Sequence, residues 1–267
     1  MSTTPAARSR PPGGPRRTTI RRNILITGAS SGLGEGMARQ FAARGRNLAL
    51  CARRADRLHA LRDELLGEHP GLRISVRALD VNDHDEVFES FRQLRDELGG
   101  LDRVIVNAGI GKGRPIGTGR FGVNLQTAST NFTAALAQCE AAVELFRQQS
   151  AGHLVVISSM SAMRGLPRNL TTYAASKAGV SALAEGIRAE LLATPIRVTT
   201  IFPGYIATEL TATAARTPLM VSAEKGVPAM VRAIEAERAT ATVPAWPWVP
   251  AGLAMRYLPL RIVARIA

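Results

Sequence analysis

Cysteine is scarce in this chain, histidine is scattered, and aromatic residues are few. Only Cys51 and Cys139 occur in 267 residues. Both sit in apolar-patterned segments, which excludes a disulfide framework and makes a reducing, cytoplasmic compartment the expected setting. The four histidines, His59, His69, His84 and His153, lack metal-ligand spacing, so no structural or catalytic metal is expected. Aromatics make up 4% of the chain. No basic surface is interleaved with them, and nucleic acid is not an expected partner. The amino terminus lacks the apolar core of a secretory signal.

What is present begins with length and charge. A chain of 267 residues, 46% apolar, fits one large or two small domains with a substantial buried core. The net charge of +13 is uneven, with Arg8, Arg10, Arg16, Arg17, Arg21 and Arg22 all preceding the first apolar run; taking these six away leaves about +7. Residues 1–22 are rich in Pro, Gly, Ser, Thr and Arg without apolar periodicity. They read as a disordered basic tail, a solvated extension rather than a nucleic-acid arm.

The body alternates short apolar runs with helical patterns. Strands are expected at Asn23–Thr27, Asn47–Ala52, Arg73–Leu79, Arg103–Asn107, His153–Ser158 and Arg197–Phe202. Helices are expected at Leu33–Ala43, Ala55–Leu66, Asp83–Leu98, Thr127–Gln149 and Tyr173–Ala193. Such alternation implies βαβ units with right-handed crossovers. The expected fold class is therefore α/β: a doubly wound, Rossmann-type parallel sheet of about seven strands with helices on both faces. The catalytic domain would span residues 23–243, followed by an apolar and basic extension, residues 244–267.

After the first strand comes Thr27-Gly28-Ala29-Ser30-Ser31-Gly32-Leu33-Gly34. A glycine-rich turn between strand and helix lets backbone approach a pyrophosphate, and the helix amino terminus favours its charge. The second strand ends in Cys51-Ala52-Arg53-Arg54. An acid there would bind the ribose 2′-hydroxyl of NAD; the two arginines suit a 2′-phosphate instead. NADP(H) is thus preferred, with NAD as the alternative. Arg53 is the better candidate, since Arg54 equally suits the start of a solvated helix.

In Thr172-Tyr173-Ala174-Ala175-Ser176-Lys177, the tyrosine and lysine lie four apart and share one helix face. A free phenol titrates near 10 and is a poor acid-base catalyst at neutrality. A cation beside it favours the phenolate and brings it toward the working range. The pair reads as a proton donor and acceptor for an alcohol/carbonyl couple.

In these motifs the chain resembles the short-chain dehydrogenase/reductase family, in its single-domain branch, over about residues 21–243. The resemblance implies that Thr27–Gly34 is the cofactor turn, with Thr27, Gly28, Ser30, Ser31, Gly32, Leu33 and Gly34 at the phosphates. It implies that Asp80 and Val81 contact adenine, and that Asn107, Ala108 and Gly109 close the fourth strand against the cofactor. Pro203, Gly204, Ile206 and Thr208 would hold the nicotinamide. Asn131, Ser159, Tyr173 and Lys177 match the catalytic tetrad. By resemblance, Tyr173 exchanges the proton of the reacting oxygen, and Lys177 lowers its pKa and holds the ribose. Ser159 stabilises charge on that oxygen, and Asn131 anchors a water leading from Lys177 to solvent. Ser158 is the rival to Ser159. One residue more than the family's usual spacing falls in the loop Arg168–Thr172.

The substrate wall is expected from residues 110–116, 160–166, Tyr205 and a mobile lid at Leu210–Val221. Met163, Leu166, Leu210, Leu219 and Met220 would make it apolar and suit a lipophilic carbonyl or alcohol; they equally suit an ordinary core. The extension carries Trp246, Trp248, Leu253, Tyr257, Leu258 and Leu260, interrupted by Arg256, Arg261 and Arg265. It is too punctuated to span a bilayer. Packing on the domain or a subunit interface is preferred, with a peripheral membrane contact as the alternative. The resemblance also implies a homo-oligomer, dimer or tetramer. Two other functions stay open: a 3-oxoacyl-thioester reductase, and a non-catalytic cofactor-sensing protein, which the complete tetrad disfavours.

Overall fold

Seven parallel strands form one sheet in the order β3-β2-β1-β4-β5-β6-β7 in a computed structural model that describes residues 20–207 and 219–266. The strands are β1 (Asn23–Thr27), β2 (Asn47–Ala52), β3 (Ile74–Ala78), β4 (Arg103–Val106), β5 (Gly152–Ile157), β6 (Ile196–Pro203) and β7 (Thr240–Val243). The central strands are continuous apolar runs because helices cover both of their faces. Alternation assigns each residue to one face. Leu25, Val104 and Leu154 pack with Phe91, Phe146 and Val180 on one side. Ile24, Ile26 and Ile105 pack with Met37, Phe41 and Val227 on the other.

The helices are α1 (Gly32–Ala42), α2 (Ala55–Glu68), α3 (His84–Leu98), α4 (Phe121–Ala128), α5 (Ala134–Gln149), α6 (Thr171–Glu190), α7 (Ala223–Glu235), α8 (Ala245–Tyr257) and α9 (Leu260–Ile266). The single helix expected at Thr127–Gln149 is instead α4 and α5 joined through a π turn at Ser129–Thr133. It begins at Phe121, and the wider turn falls on Asn131. Helix α7 was not expected; its fourth residue, Gly226, and an internal Pro228 obscure the helical pattern. The boundary of the amino-terminal tail also shifts. The Arg21 side chain is buried and ion-paired with Glu237 at 2.8 Å, and the Arg22 backbone N–H donates to Asp102. These two residues therefore belong to the folded domain.

Strand β1 pairs with β2 on one side and β4 on the other. The chain crosses from one half of the sheet to the other there, and the loops after β1 and β4 diverge. That cleft at the carboxyl edge is where doubly wound sheets bind ligands.

Candidate active site

The loop after β1 is braced against β4 before it meets anything else. Thr27 is fully buried, and its hydroxyl accepts the N–H groups of Asn107 and Ala108, both at 3.1 Å. The Asn107 amide donates to the Thr27 carbonyl at 2.9 Å. These two candidate residues therefore shape the turn from behind. Gly28 has a φ of +66°, and a Cβ there would come within 2.9 Å of the Ala108 Cα. A Cβ on Gly34 would collide with the Gly28 carbonyl oxygen. Ser31 does not cap α1 with its side chain, so the first N–H groups of the helix face outward. This cradle fits a pyrophosphate.

The two arginines after β2 differ. Arg54 is half-buried and reaches back to the glycine turn, donating to Ser30 Oγ at 3.2 Å and Ser31 Oγ at 2.6 Å. Arg53 is exposed and acts on Asp80. Burial alone would raise the Asp80 carboxyl, but the Asn82 N–H, the Asn82 side-chain amide and the Arg53 cation together hold it below the usual range. Val81, beside it, is buried.

Strand β5 ends at Ile157, and the next two serines diverge. Ser158 Oγ donates to the Lys177 carbonyl at 2.9 Å and meets Ser181 Oγ at 2.7 Å, locking β5 to α6. Ser159 is partly exposed, accepts the Ser161 N–H and lies close enough to the Tyr173 phenol to favour its ionised form. The geometry brings Ser159, not Ser158, to Tyr173. Helix α6 begins two residues before the expected start, after a short 3₁₀ turn at Arg168–Leu170. Arg168 there has a φ of +58°, a backbone region that a non-glycine residue enters at a cost.

Lys177 lies one turn beyond Tyr173 and is buried. Its Nζ donates to the Ile157 carbonyl at 2.9 Å, and a Cβ on Gly109 would come within 3.5 Å of it. Burial lowers its pKa to about 8. Tyr173 moves the other way: desolvation raises its pKa, the neighbouring Ser159 hydroxyl opposes this, and Tyr205 adds to it. The lowering expected from Lys177 does not appear among these influences: the ammonium is turned to the Ile157 carbonyl, and burial sets the direction for the phenol.

Asn131 is buried in the π turn and grips one residue with both ends of its amide. Its Oδ1 accepts the Ile110 N–H at 2.8 Å, and its Nδ2 donates to the Ile110 carbonyl at 2.9 Å. Nδ2 also reaches Ser176 Oγ at 3.3 Å, and Ser176 donates to the Tyr173 carbonyl at 2.8 Å. Ser176 and Ile110 carried no motif signal, although Ser176 sits between Tyr173 and Lys177. Together they tie the loop after β4 to the helix bearing the tyrosine.

At the end of β6, Pro203 leads into Gly204, on which the Trp248 indole lies so closely that a Cβ would overlap it. Ile206 is buried and bridges to Val221. Thr208, Leu210 and most of the expected lid lie outside the described residues. Leu166 is buried with Ala174 and Val263 as core beneath the extension. Among the described residues, no group of three or more His, Cys, Asp or Glu is placed to hold a metal.

A sequence model of the short chain dehydrogenase family matches residues 22–218. The chain belongs to that family. It is a dehydrogenase/reductase, and the family uses NAD(P). An uncharacterized oxidoreductase of Mycobacterium tuberculosis is 55% identical over 247 residues, covering 92% of this chain and 98% of that protein. Another uncharacterized oxidoreductase, from Myxococcus xanthus, is 41% identical over 197 residues, 72% of this chain and 75% of its own. Among solved structures, a short-chain type dehydrogenase/reductase from Mycobacterium marinum aligns with a TM-score of 0.75 at 28% identity, over 83% of this chain and 93% of that one. A 3-oxoacyl-[acyl-carrier protein] reductase from Brucella melitensis, in complex with NAD, aligns with a TM-score of 0.74 at 26% identity, over 84% and 96%.

Proposed function

We propose that this enzyme is an NADP(H)-dependent oxidoreductase that interconverts a secondary alcohol and a carbonyl on a lipophilic small molecule, with Tyr173 as the acid/base. The observation that carries this reading is the placement of Ser159 beside the Tyr173 phenol, one helical turn from a buried lysine. In reduction, the Tyr173 hydroxyl gives its proton to the substrate oxygen while the Ser159 hydroxyl steadies the charge developing there. The raised pKa of Tyr173 keeps the phenol protonated and ready to donate. Lys177, with a pKa near 8, exchanges a proton near neutrality and can restore the one the phenol loses. Asn131 acts through position, holding Ile110 and Ser176 so that the β4 loop and α6 keep their spacing. The nicotinamide cofactor supplies or takes up the hydride when bound. Residues 27–34 would hold its phosphates, Asp80 and Val81 its adenine, and residues 203–208 its nicotinamide.

Arg53 supports the NADP(H) preference, because it is exposed beside Asp80 while Arg54 is engaged with the glycine turn. An apolar depression of about 350 Å³, lined by Ile116, Phe121, Leu125 and Thr172 among others, supports a lipophilic substrate; Thr172 directly precedes Tyr173. Cytoplasmic location and a dimer or tetramer complete the reading. Tyr173→Phe should keep NADPH binding and lose at least about 10²-fold in turnover with a carbonyl substrate. Near-normal turnover would remove Tyr173 from the chemistry. Arg53→Ala should weaken NADPH and leave NADH unchanged in a fluorescence titration; equal weakening of both would refute the assignment. A 3-oxoacyl-thioester reductase is the second reading, favoured by the resemblance to the Brucella melitensis protein. Comparing acyl thioesters with free ketones separates the two.

A further inference from the structure

Helices α8 and α9 carry apolar side chains on both their covered and their open sides. Their inner face is committed. Trp248 lies on Gly204 and meets Tyr205 edge to face at 5.4 Å. Gly252 abuts Met160, and Val263 joins Leu166 and Ala174, the residue after Tyr173. The outer face carries Val249, Leu253 and Tyr257 along one helical stripe, with Trp246 at its head and Leu260 beyond. Trp246 is 78% exposed and Tyr257 76%. A contiguous apolar patch of this kind marks an interaction surface.

Charge narrows what covers it. Arg256, Arg261 and Arg265 are exposed on the same helices. From Arg238 to Ala267 the sequence contains no Asp or Glu. A second copy meeting this patch across a two-fold axis would set arginine against arginine. Trp, Tyr and aliphatic side chains flanked by arginine suit the boundary between anionic headgroups and acyl chains. No helix of the described residues is long and apolar enough to cross a membrane, so the helices would lie on the surface.

We propose that the outer face of α8–α9 docks on an anionic lipid bilayer, with Trp246, Leu253, Tyr257 and Leu260 at the headgroup–acyl boundary and Arg256 and Arg261 on lipid phosphates. Because the opposite face packs on Met160, Leu166 and Ala174, docking brings the substrate side of β5 and β6 to the bilayer. The inference rests on these helices and is independent of the proposed reaction.

The test is sedimentation of the full chain with phosphatidylcholine vesicles, with and without phosphatidylglycerol. Binding should require phosphatidylglycerol and weaken with salt. Leu253→Glu and Tyr257→Glu should each cut partitioning by about tenfold or more, with thermal melting and NADPH titration unchanged. Independently, brominated lipid should quench Trp fluorescence in the wild type and much less in Trp246→Phe. A wild type that ignores both vesicles would overturn the proposal, as would glutamate variants that bind as the wild type does. A lipid-free assembly that dissociates in Leu253→Glu would assign the face to a second copy and overturn it equally.

Discussion

The two edges of the sheet both hold polar side chains, but in opposite states. At the amino edge, Arg103 and His153 are buried at the starts of β4 and β5. Arg103 Nε donates to His153 Nδ1 at 2.8 Å, so the neutral ring carries its proton on Nε2 and donates to Thr199 Oγ1 at 2.8 Å. Glu237 is 2.8 Å from Arg21 and 3.6 Å from Arg103. Every member of this group is answered by another. At the carboxyl edge, Ser159 and Tyr173 keep part of their surface exposed as residues, while packing withdraws most water from the phenol, which has Ser159 beside it. Polar groups fully satisfied inside a fold serve stability. Polar groups held in place with bonding capacity left unused are free to act on something else.

Removing Glu237 should sharpen that contrast most. Glu237→Ala deprives the buried Arg21 and Arg103 of their nearest carboxylate and should cost about 3–5 kcal/mol in denaturant unfolding, with turnover per folded molecule unchanged. A change in KM or kcat at intact stability would break the comparison. Ser159→Ala should do the reverse, lowering kcat by about 10²–10³-fold with the melting temperature unmoved. Its neighbour belongs with the stabilising groups: Ser158→Ala should cost about 1 kcal/mol and little activity. The smallest effect concerns acid. Burial, then the nearby Arg103, Arg21 and Arg197 cations, hold the His153 pKa well below its ordinary value. The unfolded chain therefore binds a proton that the folded one refuses. Stability from this site is complete above about pH 6.5 and declines as pH falls below it. Melting temperature followed from neutral into mildly acid pH, compared with a His153→Gln control, should fall more steeply in the wild type.

The strands were readable because burial on both faces leaves no polar alternation to obscure them; β1 and β2 match their expected ends residue for residue. Tyr173 and Lys177 were readable because four residues in a helix fix a shared face. The choice of Ser159 over Ser158 rested on the resemblance, since spacing alone does not say which serine turns toward the α6 backbone. The direction of the Tyr173 pKa also escaped sequence reasoning. Spacing places the cation, but only packing reveals how much water the phenol loses. The π turn at Asn131 changes helical register without changing composition, so no periodicity announces it.

That turn has a bearing on how substrate preference could diversify. Asn131 clasps Ile110, Thr127 Oγ1 donates to the Lys112 carbonyl, and Asn124 bonds both the N–H and the carbonyl of Arg114. The chain between Arg114 and Asn124 is thus stitched shut at its base while its tip, with Gly117 and Gly119 at positive φ, lies exposed beside the apolar depression. Insertions and substitutions at residues 115–120 could reshape what enters without moving Asn131, Ser176 or Tyr173. The loop is a replaceable cassette on a fixed socket.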